Sequence, residues 1–193
     1  MVRFSLGSSD TATVRRELRD VVRGFMAGVP DVPLRRVSPV EEAVLVALAP
    51  LVCLARSPVD RDPVKRDIVF VHEPEGPARI ARQLHKLLVA LEAISADPLA
   101  IIVRAGIDSI PSPRREVLLY LLMHGEQSTA RVAVDLYLPR TTTRGALEEL
   151  TAHGVVRRRK SSEDEDSSAD LWNVTELTLL RWNAVAGYWR GTA

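Results

Sequence analysis

Along most of this chain apolar residues recur at three- and four-residue spacing, the pattern of helices that bury one face. From Asp10 to about Ala27, Val14, Leu18, Val21, Val22 and Phe25 share a face, Arg15, Arg16, Arg19 and Arg23 lie on others, and Gly28 and Pro30 end the helix. A Pro-rich connector, VPDVPLRRVSP, follows. Ser38 then caps a second helix, with Pro39 at its first position and Glu41 completing a capping box. Val44, Leu45, Leu48, Leu51 and Val52 make this helix apolar nearly all round, so neighbours must cover it. Residues 57–75 read as irregular and charged, with a short strand at Asp67–Val71. Gly76 and Pro77 open a third helix striped by Ile80, Leu84, Leu87, Leu88 and Leu91. Asp97 and Pro98 start a short fourth through Ile102 and Val103. Ser109-Ile110-Pro111 marks a hinge, because a residue before proline resists the helical region.

Beyond the hinge the elements shorten. Ser112-Pro113 opens a helix as Ser38-Pro39 does, with Val117, Leu118, Tyr120, Leu121 and Leu122 on its core face and Gly125 as its stop. Ser128 caps the next, with Val132, Val134 and Leu136 inside, and Leu138-Pro139 breaks it. A third runs from near Thr141 to about Ala152, with Ala146, Leu147 and Leu150 inward and His153-Gly154 at its end. Val155–Lys160 reads as a strand, Ser161–Asp170 as a polar loop and Leu171–Val174 as the returning strand. Glu176–Tyr188 forms a closing helix, with Leu179, Leu180, Trp182 and Val185 available to pack. Two helices joined by so few residues make a helix-turn-helix, and the hairpin behind them is a wing. The predicted architecture is mainly α: a helical N-terminal region over 1–109, then a winged helix-turn-helix with a two-stranded β-wing over 110–193.

The segment STARVAVDLYLPRTTTRGALEELTAHGVVRRRK, with the wing behind it, resembles the bacterial winged-helix superfamily, broadly its ArsR/MarR-like regulators. The resemblance covers about 80 of the 193 residues and implies binding of double-stranded DNA and regulation of transcription. It also implies a homodimer, with the helices Asp10–Ala27 and Glu176–Tyr188 as the expected interface. The Cys and His motifs of the metal-responsive members do not occur, so metal sensing is not carried over. A helix-turn-helix protein reads bases with the N-terminal residues of its second helix, here Arg140, Thr141, Thr142, Thr143 and Arg144. Arginine bonds guanine in a bidentate way, and threonine offers a hydroxyl or a methyl. Arg157, Arg158, Arg159 and Lys160 would set cations beside the phosphates, although on a strand only about half can face DNA at once.

Charge narrows this picture. The 193 residues carry a net charge of only +1, so any DNA contact must be local. The basic residues are 23 Arg and three Lys (Lys65, Lys86, Lys160), which codon bias in a GC-rich genome explains better than selection for phosphate binding. The acidic run Glu163-Asp164-Glu165-Asp166 would repel phosphates at a wing tip unless the loop swings clear. These two features favour the alternative, a protein-interaction adaptor that docks a partner through the winged helix. The arginines of the first helix serve either as a solvated face, the ordinary use, or as a contact with DNA or lipid.

A second resemblance concerns the first half. The stretch LARSPVDRDPVKRDIVFVHEPEGPARIARQLHKLLVALEAI, followed by VRAGIDSIPSPRREVL, is similar to the C-terminal part of large mobile-element P-loop ATP-binding proteins of high-GC bacteria. It implies a DNA-engaging C-terminal piece with an ATPase as its protein partner. The chain has no GxxxxGK followed by Ser or Thr, so ATP hydrolysis is not expected of it.

The remaining chemistry is sparse. His72, His85, His124 and His153 make no HExxH or paired ligand spacing. Cys53 is the only cysteine, which excludes an internal disulfide and suits a reducing cytoplasm. No GxSxG occurs, and Asp60, Asp62 and Asp67 sit among Arg61, Lys65 and Arg66, where ion pairing accounts for them. No enzyme activity, cofactor or metal is expected. The N-terminus lacks an apolar signal-peptide core, and the run Ala43–Ala55 is too short to span a bilayer.

Overall fold

The computed structural model describes residues 8–29, 35–94, 97–160 and 170–189. Its first helix, α1 (Ser8–Gly28), is amphipathic as expected, yet its apolar stripe is bare: Leu18 is 61% and Val21 69% exposed. At its end Phe25, Met26 and Val29 line a groove together with residues between Lys86 and Ile94. Helix α2 (Pro39–Arg56) begins with the expected capping box, Ser38 Oγ accepting from Glu41 N–H and the Glu41 carboxylate accepting from Ser38 N–H at 2.6 Å. Arg35 clamps this cap. Its guanidinium bonds Glu41 at 2.6 Å and also pairs with Glu92 of α3 (Pro77–Ala93). The Arg35 hydrogen bond lowers the Glu41 pKa to about 2, outweighing the burial that pushes it up.

The core forms because α2 is apolar all round. It packs against α3, α4 (Pro98–Asp108) and α8 (Glu176–Val185), so both halves of the chain share one contiguous core. Leu48, Leu51, Leu88 and Ile102 fill its first half, and Leu118, Leu121, Leu147, Leu150 and Trp172 its second. Gly106 sets the α2–α4 distance, since a Cβ there would lie 3.0 Å from Leu48 Cδ2. The expected hinge at Ile110 is itself a core position. A 3-10 turn, Ala186–Tyr188, follows α8.

The region expected to be irregular holds a hairpin, β1 (Val59–Arg61) paired antiparallel with β2 (Ile68–Val71). The second half runs α5 (Ser112–His124), β3 (Gln127–Ser128), α6 (Thr129–Asp135), α7 (Arg140–Ala152), β4 (Val156–Lys160), β5 (Asp170–Val174), then α8. The sheet order is β3-β5-β4, all antiparallel, so the wing has a short third strand in addition to the two expected. This order of elements is a winged helix-turn-helix, and the protein is mainly α as predicted.

Three local expectations are corrected. Val134 points to solvent, 68% exposed, because two residues along a helix turn the side chain by about 200° and Val132 already holds the core side. Ser112 is not the cap of α5: Pro111 holds that position, and the Ser112 hydroxyl donates to Glu116. Leu179 and Leu180 of α8 stay exposed, while Val185 and Thr178 turn inward. The acidic run Glu163–Asp166 lies outside the described residues.

Candidate nucleic-acid interface

Helix α7 is placed from both ends. At its start Pro139 takes the cap position and leaves the first amide groups of the helix without a side-chain acceptor. At its end Gly154 adopts a left-handed φ of 68°, which reverses the chain into β4. Ala146, Leu147 and Leu150 bury one face as predicted. Tyr120 and Arg131 both bond the Asp135 carboxylate, at 2.5 and 2.8 Å, and so tie α5 to α6 just before the turn. The Tyr120 hydroxyl is the chief cause holding that carboxyl below its ordinary value.

The expected contact residues separate into groups. Arg140, Thr141, Thr142 and Arg144 are exposed on the outer face at the helix start. Thr143 is not among them, and its expected role in base reading is corrected: it is fully buried, and its hydroxyl donates to Pro139 O at 3.2 Å. The reason is periodicity. Thr143 stands three, four and seven residues before Ala146, Leu147 and Leu150 and so belongs to the inward stripe. Arg144 bonds Glu148 one turn on at 2.8 Å. Burial pushes the Glu148 carboxyl up, but hydrogen bonds from Arg144 and Arg61 outweigh it and leave it below its ordinary value.

On the wing, Arg157, Arg158, Arg159 and Lys160 are all exposed, with different commitments. Arg158 makes a bidentate pair with Asp170, both bonds 2.6 Å, and lies 5.4 Å from the Trp172 ring centre. Arg159 reaches Glu126, at 2.6 Å for the shorter bond, and holds that carboxyl below its usual range. Arg157, Lys160 and Arg140 join no ion pair among the described residues. The wing is anchored beneath by Trp172, whose Nε1–H donates to Thr129 Oγ1 at 2.8 Å in the core. Among the described residues, the outward cations without an ion-pair partner are thus one at the helix start and two on the wing strand.

Two features of this face were missed by the sequence reading. Tyr137, in the turn between α6 and α7, is 95% exposed with a left-handed φ of 53°, beside Arg140. An aromatic in a tight turn before Leu-Pro is its only sequence signal. The β1–β2 hairpin also ends against α7, with Arg61 as the bond between them. Its guanidinium donates to Gly145 O at 2.9 Å, Glu148 at 3.0 Å and Glu149 at 3.2 Å. Glu149 pairs on its other side with Arg114 of α5 at 3.4 Å, and Arg114 donates in turn to Ser57 O.

No family model matches the sequence, and no curated protein matches it. Among solved structures, a ZitR variant of Lactococcus lactis aligns with a TM-score of 0.36 and 20% identity over 40% of this chain and 51% of that one. The transcriptional regulator PA4135 aligns at 0.37 and 23% identity over 42% and 58%. Overoxidized AbfR bound to DNA aligns at 0.37 and 21% identity over 57% and 79%. The chain therefore spans between half and three-fifths of the length of the first two. The expected kinship with mobile-element ATP-binding proteins has no counterpart among these neighbours. No helix among the described residues is long and apolar enough to cross a membrane.

Proposed function

We propose that this chain binds double-stranded DNA as a winged-helix transcription regulator, with α7 entering the major groove and β4 following the adjacent backbone. The observation that carries the reading is the exposed start of α7, where Arg140, Thr141, Thr142 and Arg144 point away from a well-packed core. Arg140 suits a bidentate contact to guanine, and Arg144 can exchange Glu148 for a base edge or phosphate. Arg157 and Lys160 lie on opposite faces of β4, so one of them at a time supplies a phosphate contact, while Arg158 and Arg159 serve the wing's own structure. Few cations are available, so affinity rests on a handful of contacts.

Fluorescence anisotropy on duplexes of random sequence at two salt concentrations tests this. Affinity should fall steeply with salt, and Arg140→Ala with Arg144→Ala should remove sequence preference, at about 1–3 kcal/mol per bidentate contact. Duplex affinity that ignores both salt and the double substitution would refute the groove assignment and favour the protein adaptor.

The same reading includes a homodimer built on α1 and α8. Its support is the bare stripe of Val14, Leu18, Val21, Val22 and Phe25 on a helix of 21 residues, with Leu179 and Leu180 exposed on α8. Sedimentation should give twice the chain mass, and Leu18→Glu with Val21→Glu should halve it. A monomeric wild type ends that part of the proposal.

A further inference from the structure

The hairpin β1–β2 belongs to the N-terminal half, yet it is welded to the reading helix rather than left free. We infer that it is a second DNA-contacting arm, in which Lys65 and Arg66 hold phosphates beside the groove that α7 enters. The inference rests on the DNA-binding reading above and adds to it two contact residues from outside the winged helix.

The tip is a built turn. The Asp62 carboxylate accepts from the amides of Val64 and Lys65 at 2.8 and 2.6 Å, and Arg66 N–H donates to Asp62 O at 3.0 Å. Arg66 sits at a left-handed φ of 64°, a costly conformation for a residue with a side chain. Its carbonyl accepts from Arg61 Nη1 at 2.7 Å, so the atom group that holds α7 also holds the tip. The result is a cleft between hairpin and helix. Arg61, Lys65 and Arg66 line one wall, and Thr141, Thr142 and Arg144 the other. These are the outward residues of the helix start. Asp67 and Glu148 also face the cleft, so four cations stand against two carboxylates there. Arg61 and Arg144 are spent on Glu148, while Lys65 and Arg66 are exposed and join no ion pair among the described residues. A rigid turn that presents two unpaired cations next to a groove-reading helix suits a phosphate backbone.

The test replaces Lys65→Ala and Arg66→Gly in the full chain, glycine being chosen because it tolerates the positive φ. The readout is duplex affinity against salt, with circular dichroism to confirm an unchanged fold and Lys65→Glu as a second variant. Each phosphate contact contributes about 0.9 to the salt slope, so the double variant should lose roughly 1.8. That corresponds to up to about eightfold in affinity per contact at 0.1 M salt. The loss should be the same on every duplex sequence, and Lys65→Glu should weaken binding further than Lys65→Ala. A wild type that binds with an unchanged slope in the double variant, or a double variant that binds more tightly, overturns the arm alone. In that outcome Arg140→Ala still impairs binding and the reading of α7 stands. A wild type that retains no duplex at any salt overturns both.

Discussion

Glu149 is the residue whose removal most directly probes how α7 is held. Its carboxylate bridges Arg61 at 3.2 Å and Arg114 at 3.4 Å, joining α7 to the hairpin and to α5. The Arg114 side chain is only 10% exposed and that of Glu149 26%. Burial pushes the Arg114 guanidinium below its ordinary value, and the neighbouring Glu149 offsets part of that. Glu149→Ala leaves this cation with the carbonyls of Ser57 and Arg56 and no counter-charge. Hydrogen bonds to charged groups contribute about 1.5–3 kcal/mol, and fully buried pairs cost about 3–5 kcal/mol to break. This half-buried network therefore predicts a loss of about 2–3 kcal/mol, against less than about 1 kcal/mol for the exposed pair removed by Arg144→Ala. For a chain of this size that is roughly 5–10 °C in Tm. Urea denaturation followed by circular dichroism gives the free energy, and a double-mutant cycle of Arg61→Ala with Glu149→Ala gives the coupling. A loss under about 0.5 kcal/mol with no coupling would refute the network through Glu149 and leave the hairpin held to α7 by the Arg61 bonds to Gly145 O and Glu148 alone.

Three further outcomes are expected. Glu41 has a folded pKa of about 2 against an ordinary 4.5, so its contribution is complete above about pH 4.5 and is lost as pH falls toward 2. Glu41→Gln should flatten that acid limb in denaturation curves measured from pH 5 to 2. Thr143→Val should leave duplex affinity unchanged and cost under about 1.5 kcal/mol of stability, because the buried hydroxyl gives up only one bond, whereas Thr142→Val should reduce affinity with stability intact. Leu147→Ala should cost about 2–5 kcal/mol in chemical denaturation, since Leu147 is fully buried between α7 and the shared core.

The elements whose cause is local were legible in the sequence. Ser38, Pro39 and Glu41 specify the start of α2 through bonds made within four residues, and those bonds form. Ala146, Leu147 and Leu150 read correctly as the inward stripe of α7, and the same helical period places Thr143 on it, so its burial follows from the spacing alone. The wing strands were visible because Gly154 and the alternation around Trp172 are short-range signals. What tertiary structure alone decided is where charge goes. Four adjacent basic residues look equivalent along β4, but Asp170, 12 residues from Arg158, and Glu126, 33 from Arg159, neutralise those two and leave Arg157 and Lys160 without an ion pair among the described residues. The hairpin's attachment to α7 depends on Arg61 meeting Gly145, Glu148 and Glu149, a contact spanning more than eighty residues that no periodicity encodes. Helical stripes and caps follow from neighbours in the chain, whereas the availability of a cation depends on which carboxylate the fold brings beside it.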